Sequence, residues 1–504
     1  MLALLLLTAA IPLTVPMFPS QDGPVHLYYV DVLRAILTHS APYAQHFQLT
    51  RFLTPYSLEY YTLLALEFVF SPIFSEKLLV AAYIFAFGLG FRYLVESVTE
   101  RGSPWILMGV PFCLHALVYM GFLNFCTAVA ILLFECGFWM RYSAQLTGRR
   151  AAALLAGLVL LLLTHPVPAA VFLMFAGLYF VADLSCEVWN GARWSAAWRA
   201  RRVPLAILAA MSLSALAWVS LFLRPGQPGA HEVNHIATMG WFDTVATELQ
   251  LYPVAAFTRL GDRAGLALVL IFACLAILAR IRHWRPRKQP VTLLAASSIC
   301  FLLYCFAPER VNGSFYFAER FPILWALFLL VGAASIHRRR AWNLAAGGIA
   351  MVVTLALFFQ QRAKVMRLAS EIAAQEQLAP APPGSVGLIV SQTRLVPDGL
   401  EFNPYMWCAV HYFRRSRAIL ANDPWIDVPL IMLRPAHPGR WSYLDPDSAS
   451  ALLIARTLEG TSARDLDFVV QMGPANGEVD RLLRREGWTL SGQSGGLMRI
   501  YRRP

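Results

Sequence analysis

The sequence predicts a polytopic α-helical membrane protein with a small C-terminal α/β domain, and three observations carry that prediction. Hydrophobic residues fill 58% of the 504 positions and charged residues only 14%, with a mean hydropathy of +0.53, against about a quarter charged in a soluble domain. Apolar runs recur from the first residues to about position 359. Between them, Arg-rich loops alternate with loops poor in basic residues, the pattern of a chain threaded repeatedly through a bilayer.

Only helices with internally satisfied backbones cross a bilayer in this kind of chain, at roughly 20 residues each. On that basis about eleven spans are expected: Leu2–Met17, Leu78–Val95, Trp105–Tyr119, Phe125–Met140, Ala151–Thr164, Ala169–Ala182, Val203–Leu223, Gly265–Ile281, Val291–Ala307, Phe321–Ile336 and Ala341–Phe359. The net charge of +12 is spread over separated loops, so it signals topology and argues against nucleic-acid binding. Arg141, Arg149 and Arg150 mark one cytoplasmic loop and Arg193, Arg199, Arg201 and Arg202 another. Arg280, Arg282, Arg285, Arg287 and Lys288 mark a third, and Arg338 to Arg340 a fourth. Counting back places the Thr99–Pro104 loop inside and "MGFLNF" (Met120–Phe125) outside.

The parity of the first loop rests on Ser57–Phe74, an apolar run long enough to span. It carries Glu59 and Glu67, which are costly facing lipid, and it begins with Thr54-Pro55, a suitable cap and first-turn pair. It therefore reads as a helix at the membrane interface, as does Pro24–Thr38 with its interspersed His26, Asp31 and Arg34. The expected topology is N-terminus inside and C-terminus outside, with residues 18–77 forming a first extracytoplasmic loop. "TAAIP" offers a weak signal-cleavage site, and cleavage there leaves that loop outside as well. The membrane domain covers 1–361 and an extracytoplasmic α/β domain covers 362–504. In the latter "VGLIV", "DFVVQMG" and "GLMRIYRR" read as strands, and "SASALLIARTLEG" and "EVDRLLRREGW" as amphipathic helices.

Seven of the eight cysteines lie in or beside apolar runs without metal-type spacing, and Cys408 stands alone in the tail, so no disulfide framework is expected. Phosphate-loop glycines and internal repeats are absent from the sequence.

Four stretches resemble the GT-C class of membrane glycosyltransferases, which includes the protein O-mannosyltransferases and the lipid A aminoarabinose transferase. "QDGPVHLYYVDVLRAI" is similar to the acidic first outer loop of that class. "TPYSLEYYTLLALEFVFSPIFSEKLLVAAYIF" resembles its surface helix leading into span two. "LLLLTHPVPA" ends the fifth span where relatives often read "LTKGP", and "NGSFYFAERFPILWALFL" resembles a later outer loop with a basic residue before the helix. The resemblance is strongest over about residues 1–340. Two departures stand out: His165 occupies the place of a frequent Lys, and "GFLNF" offers Asn124 where an acid often helps hold a metal. A divalent cation is thus an optional cofactor, with no metal ligands assigned.

The resemblance implies a polyprenyl-phosphate-linked sugar as donor and an envelope glycan, lipid or protein as acceptor. It also implies multi-pass residence among the lipids of a bacterial cytoplasmic membrane. Such chemistry needs a base for the acceptor hydroxyl and cationic or N–H groups for the departing phosphate. Asp22 is the expected base; its plainer reading is a helix cap. His26, four residues on, orients Asp22 or touches the sugar, or is an interfacial His in water. His165, at the outer end of span five, donates to phosphate, most effectively when charged, or simply ends a helix. Arg320 suits bidentate phosphate contact, against snorkelling or pairing with Glu319 or Glu309, and Arg310 is a weaker candidate. Asn124 completes the substrate-binding set.

Other features compete. "HEVNH" puts His231, Glu232 and His235 in the H-E-x-x-H zinc pattern, but after a loop and without a third ligand beyond the unforced Asp243 and Glu248. Glu135, Asp183 and His115 lie in or near apolar runs, where ionisable groups are functional candidates by default; here they read as paired internally or facing the inner surface. "NGS" at Asn312 matches a glycosylation acceptor of no meaning in a bacterium. The expected activity is an inverting, lipid-phosphosugar-dependent glycosyltransferase acting outside the membrane. The alternatives are a transporter or flippase of a lipid or polar solute, a membrane zinc peptidase, and a non-catalytic protein of GT-C type.

Overall fold

The computed structural model describes residues 1–49, 51–191, 193–221, 261–281, 287–308, 316–336, 339–391, 402–421, 433–435, 466–473 and 477–503. In chain order the main helices are α1 (Leu2–Thr14), α2 (Gly23–Leu37), α3 (Ser57–Leu66), α4 (Pro72–Val95), α5 (Leu123–Tyr142), α6 (Gly148–Thr164) and α7 (Pro166–Trp189). They continue with α8 (Trp194–Ser220), α9 (Gly261–Ile281), α10 (Lys288–Phe306), α11 (Phe321–Ile336), α12 (Arg340–Ala373), α13 (Val410–Ser416) and α14 (Gly477–Arg485). The strands are β1 (Phe47–Leu49), β2 (Val386–Ser391), β3 (Ile419–Leu420), β4 (Leu433–Pro435), β5 (Phe468–Met472), β6 (Thr489–Ser494) and β7 (Met498–Arg502).

Two compact units result. The first comprises 1–10, 80–117 and 123–361; the second comprises 11–79, 118–122 and 362–504. The residues around Asp22 thus belong with the C-terminal region, although some three hundred residues separate them in sequence.

Within the described residues, eight helices are long and apolar enough to cross a membrane: Pro72–Val95, Leu123–Gln145, Pro166–Trp189, Arg201–Ser220, Arg263–Arg280, Lys288–Phe306, Ala318–Ile336 and Arg340–Gln377. The chain is accordingly a multi-pass helical membrane protein. Two further expected spans are shorter helices, α1 with 13 residues and α6 with 17. The expected span Trp105–Tyr119 is corrected. It forms 3-10 turns at Pro104–Leu107 and Val110–Phe112 and a four-residue helix at Ala116–Tyr119. Pro111 removes a backbone donor and clashes with the preceding turn, and apolar composition does not overcome that. Conversely, Ser57–Phe74 does not form one helix. α3 ends at Leu66, ten residues or roughly 15 Å in length, and α4 begins anew at Pro72.

In the first unit, small residues let helices approach closely. A Cβ at Gly90 would lie 2.9 Å from the Ala130 carbonyl oxygen, joining α4 to α5, and one at Gly332 would lie 2.9 Å from Leu294, joining α11 to α10. Phe175 of α7 stacks on Phe328 of α11 at 5.4 Å.

In the second unit a five-stranded sheet runs in the order β3-β2-β5-β7-β6. β2 is parallel to both β3 and β5, while β7 is antiparallel to β5 and β6. Every residue of β5 is buried, as suits a central strand covered on both faces. The three expected strands are all present. "EVDRLLRREGW" contains all but the first residue of α14, whereas "SASALLIARTLEG" lies outside the described residues. α2 packs against α3 and α13, and the Tyr28 hydroxyl of α2 accepts the Leu420 N–H at 3.1 Å. A short antiparallel pair, β1 with β4, completes the unit.

Candidate active site

Asp22 stands immediately before α2, whose first turn holds Pro24. The fixed φ of proline suits that position and its missing N–H is not needed there. The Asp22 carbonyl accepts the N–H groups of Val25 and His26 at 3.0 and 3.1 Å. Its side chain makes no capping bond, so the carboxylate is not spent on the helix end that the plainer reading assigns to it. From Met17 to Val30 every residue is buried except Asp22, which is half-buried.

Two other segments hold it there. The Gln21 and Asp22 N–H groups donate to the carbonyls of Tyr119 and Met120 at 2.8 and 3.2 Å. The Tyr119 ring is sandwiched between Phe18 and Phe402, with centroids at 5.3 and 5.2 Å. Gly121 has φ +85°, and a Cβ there would lie 2.9 Å from the Asp22 and Gly23 nitrogens. Only glycine meets both the left-handed backbone and this close approach. From the tail, the Asn403 N–H donates to Gln21 Oε1 at 3.0 Å, while Gln21 Nε2 reaches Asp22 Oδ1 at 3.5 Å.

Burial raises the Asp22 pKa from 3.8 to about 7, the Gln21 contact opposing only in part. A carboxyl poised there exchanges a proton readily near neutrality, as a general base must.

His26 is buried and makes a hydrogen bond to the Gly121 backbone. Its Nδ1 lies 3.3 Å from the Tyr60 hydroxyl and 3.7 Å from Glu59 Oε1. Burial lowers its pKa to about 3, against the pull of that backbone bond, so it is neutral at physiological pH. The alternative of an interfacial His in water is corrected: this ring is enclosed, and it braces the Gly121 loop that seats Asp22.

Sequence reasoning missed the supporting groups. Ser20 Oγ donates to Glu76 Oε1 at 2.6 Å, and a Cβ at Gly23 would lie 1.9 Å from that oxygen. The Gly-Pro pair that starts α2 is therefore also a cradle for the buried Glu76. The presence of an acid in "SPIFSEKLL" was visible, but its pairing with Ser20, 56 residues away, had no local signal.

The first unit brings two other candidates together. His165 caps α7, its Nδ1 accepting the Val167 N–H at 3.1 Å, so the neutral ring carries its proton on Nε2. Burial, reinforced by the nearby positive charge of Arg320, holds its pKa well below 6.5. The ring is therefore neutral: it can donate one hydrogen bond but contributes no charge. Phe125 packs edge-on against it at 5.3 Å, and Asn124 Oδ1 accepts the Phe125 N–H at 2.6 Å. Arg320 ends a 3-10 turn, Ala318–Arg320, and is buried.

His231, Glu232, His235, Asp243, Glu248, Glu309, Arg310 and Asn312 lie outside the described residues. Among the described residues no group of three or more His, Cys, Asp or Glu side chains is arranged to hold a metal ion.

No protein-family model matches the chain, and no curated protein matches it in sequence. Its fold is similar to that of the arabinofuranosyltransferase AftD from mycobacteria, a GT-C glycosyltransferase seen by single-particle cryo-EM. The TM-score is 0.51 at 13% sequence identity. The likeness covers 99% of this chain and 41% of AftD, so the chain spans less than half the length of that protein. At the level of fold, the expected resemblance to the GT-C class holds.

Proposed function

We propose that this chain is a membrane glycosyltransferase that moves a sugar from a polyprenyl-phosphate donor to an acceptor hydroxyl, with Asp22 as the base. The observation that carries the reading is Asp22 itself. It is the half-buried acid of an otherwise buried segment, free of capping duty, fixed by backbone bonds to a second loop and raised by desolvation to a pKa of about 7.

The chemistry balances with few parts. Asp22 takes the proton from the acceptor hydroxyl. The acceptor oxygen attacks the anomeric carbon on the face opposite the phosphate. The bond from that carbon to the phosphate oxygen breaks, its electron pair leaves with the polyprenyl phosphate, and the anomeric configuration inverts. The leaving group is already a weak base, so no general acid is required. In the first unit, Arg320 and the Nε2–H of His165 are of the chemistry that holds an anionic phosphate. The likeness to the arabinofuranosyltransferase AftD supports an arabinofuranose-bearing donor as the first to try, with glycans as the first acceptors. The site belongs on the outer side of a bacterial cytoplasmic membrane, where lipid-linked sugars replace nucleotide sugars as donors.

Purified chain incubated with polyprenyl-phosphate sugars and glycan acceptors is expected to form an inverted glycoside. Asp22→Asn is expected to lower turnover by about 10²–10⁴-fold with little change in donor affinity. Transfer undiminished by that substitution would remove Asp22 from the reaction.

A further inference from the structure

The end of α7, the short link and the first turns of α8 together read "VWNGARWSAAWRARR" (Val188–Arg202), the α7–α8 turn, with three tryptophans and four arginines but no acid. The tryptophans are not core residues: Trp189 is 80% exposed, Trp194 59% and Trp198 42%. Trp194 and Trp198 stack at 6.3 Å, one helical turn apart, and Phe180 of α7 meets Trp198 edge-on at 6.0 Å. Phe180, Trp198 and Trp194 form one continuous aromatic edge.

The acids nearest to this turn are already matched. Arg201 donates to Asp183 at 2.6 Å and to Glu187 at 2.8 Å. Lys288, at the start of α10, lies 2.7 Å from Asp183. Two negative charges thus meet two positive ones. Arg193, Arg199 and Arg202 remain, all exposed, and none forms an ion pair with an acid among the described residues. Arg287, beside Lys288, is also exposed. The turn therefore presents a net excess of guanidinium groups interleaved with indole rings. It sits where two helices able to cross a membrane, Pro166–Trp189 and Arg201–Ser220, come to their ends.

We propose that this turn binds the headgroups of anionic phospholipids. Tryptophan favours the depth of the headgroup region, with its ring against the acyl boundary and its N–H in the polar layer. Arginine matches phosphate geometrically, and each basic residue near an anionic surface adds to the attraction. Charge complementarity selects an anionic lipid over a zwitterionic one. The aromatic edge beside two apolar helices selects a lipid over a soluble polyanion. The site is independent of Asp22 and of the transfer reaction.

Native mass spectrometry of the full chain in mild detergent, with dioleoylphosphatidylglycerol or dioleoylphosphatidylcholine added at equal concentration, tests this. Phosphatidylglycerol is expected to be retained at least tenfold better than phosphatidylcholine. The triple variant Arg193→Gln, Arg199→Gln, Arg202→Gln is expected to abolish that difference. A control removing the same charge from α14 (Arg481→Gln, Arg484→Gln, Arg485→Gln) is expected to leave it unchanged. Equal retention of both lipids, or equal loss in both triple variants, overturns the proposal. A second reading avoids the arginines. Brominated phosphatidylglycerol is expected to quench tryptophan fluorescence more than brominated phosphatidylcholine, and Trp194→Leu with Trp198→Leu to remove the excess. Persistence of the full excess in that variant likewise overturns it.

Discussion

At the scale of single residues, the central fact is a carboxyl group held near neutrality by its surroundings. A base acts only when deprotonated, so turnover is expected to rise with pH through about 7 and to level above it, following one ionisation. The same placement has a cost in stability. Unfolded, the Asp22 carboxyl loses its proton near 3.8; folded, it keeps it to about 7. The charged form is therefore disfavoured in the fold. That cost is absent below the unfolded value, grows between the two, and is complete above the folded one. Asp22→Asn should thus melt close to the parent protein at pH 4 and a few degrees above it at pH 8. An equal shift at both pH values would place the effect elsewhere. Gly121 gives a prediction of opposite sign: Gly121→Ala adds a methyl at φ +85° against the Asp22 backbone. It should destabilise the protein by roughly 1–3 kcal/mol, measured as a lowered thermal midpoint. The sequence exposed Asp22 as an acid beside Gly-Pro. It could not show Gly121, because a glycine in "MGF" announces nothing until its φ and its neighbour are known.

At the scale of elements, α2 is tied to the α3 segment and to α13 by partly buried ion pairs. Arg34 of α2 pairs with Glu67 just past α3, and Arg414 of α13 reaches Asp31 of α2 at 2.8 Å. Arg414 is largely buried, so Arg414→Met leaves Asp31 without that partner and should destabilise by roughly 1.5–3 kcal/mol, read in a thermal or denaturant melt. In the sequence, Glu59 and Glu67 argue against a span at Ser57–Phe74. The helix is indeed only ten residues long, and both acids turn inward, one beside His26 and the other onto Arg34. A sequence shows that an acid is present, but the partner that makes its burial tolerable lies across the fold. The opposite lesson comes from Trp105–Tyr119, where composition suggested a span and Pro111 broke it. There, hydropathy averaged over a window outweighed a local stop signal that was in plain view.

At the scale of the whole molecule, hydropathy and loop charge made the membrane class and most long helices legible, because lipid imposes one requirement on every span. The α/β character of the tail was legible from its alternating runs. The division into units was not. Residues 11–79 and 118–122 group with 362–504 through backbone and side-chain bonds that leave no periodic trace. Topology remains open to a direct check. In a cysteine-free background, a cysteine at position 484 in α14 should react with an impermeant maleimide in intact cells. One at position 199 should react only after permeabilisation, and the reverse order would invert the proposed orientation. The most direct measurement of the chemistry is single-turnover sugar transfer from a polyprenyl-phosphate donor by the purified chain, compared with its Asp22→Asn variant between pH 5.5 and 8.5. A rate that climbs through pH 7 in the parent and is at least a hundredfold lower and pH-independent in the variant is the predicted result. Equal rates with the same pH profile in both proteins would contradict it.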